Sequence, residues 1–131
     1  MTQTLIPLAL AGLMHFVQFA VASVMANRDL GSDYTSGSRD NAPSREMRPA
    51  TARMMRAYDN HVEMFPFFAA AVLLITVTAQ ETTVTSAAAW VYLAARVLYI
   101  PAYAFGWNPW RSLVWIIAML ATIALYIAAL I

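Results

Sequence analysis

Two sets of polar residues in this chain repeat at helical spacing inside otherwise apolar sequence. Arg56, Asn60 and Glu63 stand at i, i+4 and i+7, with Arg53 one turn earlier, so they share one helical face. Glu63 lies just before Phe65-Pro66-Phe67-Phe68 and so sits at or below a membrane interface. Tyr92, Arg96, Tyr99 and Tyr103 stand at i, i+4, i+7 and i+11, again on one face. An ionised group below the headgroups is costly unless paired, and such groups usually face a bundle interior or an aqueous cavity. The Arg96 guanidinium, a turn or two below the interface, calls for a carboxylate, and Glu63 is a candidate. Two readings follow: a structural arginine–glutamate bridge between helices, or a polar site.

These residues belong to elements made for lipid. Of 131 residues, 61% are hydrophobic and 11% charged, against about 25% charged in soluble domains. Each of four apolar stretches is near the ~20 residues needed to cross a ~30 Å hydrocarbon core. They lack the alternation of barrel strands, so helices are expected. The expectation is an all-α, four-helix up-down bundle forming a single domain over 1–131, with helices at about 5–26, 52–79, 84–105 and 111–131. The first stretch has no basic segment before it, and Ala-Ser-Val-Met-Ala-Asn followed by Arg28 makes a poor cleavage site, so it reads as a retained helix. The connection from Asn27 to Ala50 holds Gly31, Gly37, Pro43 and Pro49 and reads as an irregular loop. The turns at 80–83 and 106–109 are short, which makes consecutive helices antiparallel neighbours.

All eight basic residues are arginine. Arg28, Arg39, Arg45, Arg48, Arg53 and Arg56 flank or follow the first loop, and Arg111 follows the third turn, whereas the second turn carries only Glu81. Basic residues favour the cytoplasmic side. The first loop and the third turn are therefore expected inside, with both termini outside. That topology brings Arg28, Arg53, Arg56, Asn60, Glu63, Arg96, Tyr99, Tyr103 and Arg111 to one face. Pro101 is a candidate for opening a crevice at the end of the third helix.

Several chemistries find no support. Cysteine is absent, which removes disulfides and thiolate sites. His15 lies alone on the first apolar stretch and His61 lies off the polar stripe, so no catalytic metal is expected. There is no glycine-rich phosphate loop and no Ser/His/Asp set at one face. Net charge is +1, giving no bulk attraction to nucleic acid. Trp90, Trp107, Trp110 and Trp115 read as interfacial anchors, and Met54, Met55 and Met64 as packing residues. A small multidrug-type transporter would need a membrane-embedded carboxylate in its first helix, where His15 is the only ionisable group.

The segment Arg53-Met-Met-Arg56-Ala57-Tyr58-Asp59-Asn60-His61-Val62-Glu63-Met64-Phe65-Pro66 resembles the signature of the membrane-associated proteins in eicosanoid and glutathione metabolism, the MAPEG family. Two arginines stand three apart, an alanine follows the second, Asn and Glu lie at +4 and +7 from it, and an aromatic-proline pair comes next. Val91-Tyr92-Leu93-Ala94-Ala95-Arg96-Val97-Leu98-Tyr99, continuing to Tyr103, is similar to the family's third-helix stretch. The four-helix plan and the loop lengths also match, over nearly the whole chain. Met64 departs from the tyrosine that some eicosanoid-forming members carry there.

The resemblance implies a homotrimer with glutathione held between neighbouring subunits near the cytoplasmic face. By position, Arg56, Asn60 and Glu63 would grip the tripeptide, Tyr99 and Tyr103 would complete the pocket, and Arg28 would add a contact. Arg53 and Arg96 belong to the same binding set. Arg111 would stabilise the thiolate. The long polar first loop looks like that of bacterial members, which implies a bacterial inner membrane. The implied activity is a glutathione-dependent transferase or peroxidase acting on lipophilic small molecules, with glutathione as co-substrate and membrane lipid as surroundings. The alternative is a non-catalytic member of the same fold that binds a lipid head group or another small anion.

Overall fold

The computed structural model describes residues 2–131. It is all-α: α1 (Leu5–Leu30), a single turn α2 (Ser32–Thr35), α3 (Pro49–Val77), α4 (Thr83–Ala104) and α5 (Trp110–Ala128). The four long helices are each long and apolar enough to cross a membrane, and α1 at 26 residues spans about 39 Å. The expected first helix therefore extends one further turn, to Leu30. The second begins slightly earlier, at Pro49, where proline at the first helical position gives up no hydrogen bond.

Local chemistry sets the ends. Gly31 stops α1 at φ 87°, a conformation that costs glycine little, and its N–H returns to the Asn27 carbonyl at 2.9 Å. The loop expected to be irregular holds the short helix α2, stitched to α1 by the Thr35 hydroxyl donating to Asn27 Oδ1 at 2.6 Å. The loop's far end closes on its start. The Arg48 backbone N–H and Nε both donate to the Asp29 carboxylate, at 3.0 and 2.8 Å. At the opposite end Thr82 and Thr85 form a reciprocal capping pair that starts α4.

The core is narrow and built from small residues. Ala11, Ala71, Ala89, Ala95, Ala118 and Ala121 are buried, which lets the helix axes approach closely. Larger side chains fill what remains. Phe68 of α3 stacks on Tyr92 of α4 at 3.7 Å between ring centroids, and Val72, Ile75 and Leu125 close around them. Many large apolar side chains, among them Leu13, Phe16, Val17, Leu98 and Leu120, point outward, as expected where lipid is the solvent.

Two contacts fix which connections share an end. The Thr4 hydroxyl donates to Glu81, which joins the start of α1 to the α3–α4 turn. The hydroxyls of Thr2 and then Thr4 hold the Glu81 carboxyl below the usual carboxylate range. At the other end, Gly106 (φ 68°) in the α4–α5 turn lies against the Arg53 guanidinium of α3. The first loop and the α4–α5 turn are thus on one end of the bundle, and the N-terminus and the α3–α4 turn on the other.

Phe68 is fully buried and fills the space between α3 and α4. Phe68→Ala is expected to lower unfolding free energy by about 3–5 kcal/mol, measured by reversible denaturation in mixed micelles. A loss below about 1 kcal/mol would show that the stacked pair does not hold these helices together.

Candidate functional site

The α3 stripe, the end of α4 and the start of α5 meet at the end of the bundle that carries the first loop. Between them is an open cleft of about 560 Å³ lined by Arg56, Asp59, Asn60, Glu63, Tyr99, Tyr103, Arg111, Ser112, Trp115 and Ile116. Three elements converge here because each presents residues at helical spacing on the same face: 56, 59/60 and 63 on α3, 99 and 103 on α4, and 111, 112, 115 and the apolar 116 on α5.

Tyr103 is the hub of the outer part. Its phenol oxygen accepts from Arg56 Nε at 3.0 Å. The guanidinium carbons of Arg111 and Arg56 lie 4.8 and 5.8 Å from its ring centroid. One ring thus holds two like charges in one cleft, using its electron-rich face and its oxygen lone pairs. Tyr99 meets Tyr103 edge to face at 5.6 Å. Glu63 and Asp59 are exposed on the cleft wall, and neither forms an ion pair with either arginine among the described residues.

Behind this wall lies Arg96, 1% exposed. Its Nη1 donates to Asn60 Oδ1 at 2.8 Å, its guanidinium stacks over Tyr99 at 4.5 Å from the centroid, and its Nε has no partner. This corrects the expected pairing with Glu63. Asn60 lies one turn nearer the loop end and faces inward to Arg96, whereas Glu63 faces the cleft. The only ion pair among the described residues is Arg48 with Asp29, in the loop.

Six of the nine residues read from the sequence therefore line one cleft: Arg56, Asn60, Glu63, Tyr99, Tyr103 and Arg111. Arg96 supports it from behind. Arg53 does not line it. Its guanidinium lies against Gly106, and its Nε is buried without a partner. Arg28 lies elsewhere, in a second cleft of about 630 Å³ under the first loop, with Phe19, Tyr34, Arg39 and Met55. Asp59, Ser112, Trp115 and Ile116 were missed. Asp59 stands three residues after Arg56, and the α5 residues follow Arg111 at helical spacing, so a signal was present. Trp115, expected as an anchor, is a wall of the cleft, with its indole N–H buried and unpartnered.

The histidines meet on another face of α3. His15 and His61 lie 5.7 Å apart between ring centroids, Phe65 stacks against both, and Tyr58 Oη is 3.5 Å from His15 Nε2. His61 is fully buried and neither ring nitrogen has a hydrogen-bond partner.

Chemically, the cleft offers two arginine side chains without a carboxylate partner among the described residues, an amide, two phenols and two carboxylates, at one end of the bundle. That set suits a ligand carrying both anionic and cationic groups. No curated protein matches the chain. The family model of the MAPEG family matches residues 5–131. With the stripes of α3 and α4 converging on one cleft in a bundle of four membrane-spanning helices, the chain belongs to the MAPEG family.

Proposed function

We propose that the cleft binds glutathione and that the protein is a membrane-embedded transferase or peroxidase acting on lipophilic electrophiles. The observation that carries this reading is that Arg56 and Arg111, which form no ion pair with a carboxylate among the described residues, line one open cleft with Glu63. Glutathione has two carboxylates and one ammonium. Arginine meets a carboxylate through two parallel hydrogen bonds, and Glu63 meets the ammonium. Membership of a family named for glutathione metabolism supports the same ligand.

In this reading Arg56 and Asn60 take a ligand carboxylate and Arg111 faces the sulfur. A free thiol of this kind has a pKa of about 8.5. A guanidinium beside it favours the thiolate, the nucleophilic form. An apolar electrophile reaches the sulfur along the lipid-facing side, where Ile116 and Trp115 form the wall. In a transfer, the sulfur forms a bond to an electrophilic carbon, and the leaving group departs with its electron pair. In a peroxidase reaction, the thiolate takes the hydroxyl of a hydroperoxide as the O–O bond breaks, giving a sulfenic acid and an alkoxide that takes up a proton to become the alcohol. A second glutathione then gives the disulfide and water. Holding thiolate and electrophile together supplies much of the rate enhancement.

The assembly proposed is a homotrimer in a bacterial inner membrane, with the first loop cytoplasmic and both termini on the outer side. Arg28 opens on a different cleft of its own subunit, so it reaches this ligand only from a neighbouring copy. Arg53 braces the α4–α5 turn.

Arg56→Ala is expected to abolish the rise in thermal stability that millimolar glutathione gives the purified protein in detergent. An unmoved melting temperature for the unmodified protein under the same conditions would remove the main support for a thiol site and favour the head-group or small-anion reading. Tyr103→Phe keeps the ring over both guanidiniums and deletes the acceptor for Arg56. It is expected to weaken glutathione binding about three- to tenfold, the scale of one hydrogen bond, without lowering stability in the absence of ligand. Isothermal titration checks the first and a melting curve the second.

A further inference from the structure

Asn60 has two ways to face the cleft. Its amide can present oxygen, an acceptor, or nitrogen, a donor, and the two demand opposite groups on the ligand. Arg96 decides between them. Every polar hydrogen-bonding atom of a guanidinium is a donor, so the Asn60 atom 2.8 Å from Arg96 Nη1 can only be the oxygen. The amide nitrogen on the same carbon is then turned away from Arg96. Asn60 lines the cleft. Its nitrogen is not among the buried unpartnered atoms, and no protein acceptor takes its hydrogens among the described residues. It is an open donor facing the ligand's space.

Arg96 is itself held. It is 1% exposed, lies over the Tyr99 ring at 4.5 Å and has no carboxylate partner. Nearly all of its surface is protein, so it has no alternative position that would let Asn60 rotate. Rotating the amide alone would point an N–H at an N–H and leave a buried guanidinium with no acceptor.

We propose that Arg96 is a positioning residue that commits Asn60 to donate into the cleft. The ligand atom facing Asn60 is therefore an acceptor oxygen, and not an amine. This deepens the thiol reading of the cleft and rests on it.

The test is an isosteric change that keeps the Arg96 contact and reverses the other atom. In Asn60→Asp, one carboxylate oxygen still accepts from Arg96, and the second replaces the N–H that faces the ligand. The variant is expected to melt at or above the temperature of the unmodified protein and to bind glutathione at least tenfold more weakly, by titration in detergent. A packing role for Asn60 would leave affinity unchanged, so an Asn60→Asp protein that binds glutathione within twofold of the unmodified one overturns the proposal. Arg96→Leu is expected to weaken binding to a similar degree, and Arg96→Lys, which keeps a donor toward Asn60, to recover part of it. Equal affinity in the leucine and lysine variants also overturns it. The structural half is read without ligand, through a double-mutant cycle on melting temperature with Asn60→Ala and Arg96→Leu. If the unmodified protein shows no glutathione response, the thiol reading fails. Coupling in the cycle then still supports the orientation of Asn60, and additivity overturns it.

Discussion

A guanidinium buried inside a membrane bundle without a carboxylate is the constraint around which this molecule is arranged. Arg96 is 1% exposed, and its contacts are an amide oxygen and the face of a phenol. Removing a charge from water is expensive and is offset only by well-placed polar groups. Those groups must come from different helices, so Arg96 of α4 fixes Asn60 of α3 and its own neighbour Tyr99. Tyr99 packs on Tyr103, and Tyr103 holds Arg56 and Arg111. One buried charge thereby orders polar side chains from three helices. The apolar core further along, with Phe68 on Tyr92 at its centre, keeps α3 and α4 at the separation this requires.

The ends of the bundle protect that arrangement. Helices that rely on alanine contacts have little side-chain interdigitation to set their vertical register. Register is set here by polar ties outside the hydrocarbon: Thr4 to Glu81 at one end, and Arg48 to Asp29 with Arg53 under Gly106 at the other. Sliding α3 by one turn would carry Asn60 away from Arg96 and Arg56 away from Tyr103 together. The loop ion pair is therefore more than surface decoration, although an exposed pair of this kind contributes little on its own.

Much of this was legible in the sequence because a membrane restricts the options. Four apolar runs of the right length admit only helices, short turns admit only antiparallel neighbours, and arginine placement marks one end. Helical spacing then assigns Arg56, Asn60 and Glu63 to one face. Spacing along one helix does not reveal which way a residue at the edge of that face turns. Asn60 and Glu63 are three residues apart and both line the cleft, yet only Asn60 also reaches inward to Arg96. The natural guess of opposite charges pairing chose wrongly. Trp115 is legible only in part for a similar reason: an aromatic near a helix end suits both an anchor and a wall, and the rotation of α5 places it on the cleft. The pairing of His15 with His61 depends on the register of α1 against α3, which no periodicity within either helix encodes.

The distribution of charge in the cleft bears on how a ligand is gained and released. Arg56 and Arg111 are held near one another by Tyr103 without a neutralising carboxylate, and Arg96 adds a third positive charge behind them. Each guanidinium is satisfied in part, but none is compensated. In the proposed reading an anionic group placed between Arg56 and Arg111 offsets their mutual repulsion, and binding and stability are linked: whatever binds the folded cleft raises the free energy of unfolding. Glu63 and Asp59 limit that gain. They lower the attraction for a purely anionic species and favour one that also brings a positive group. In the proposed reading the cleft distinguishes ligands by the placement of both signs of charge, and Arg96, by orienting Asn60, sets where an acceptor must lie.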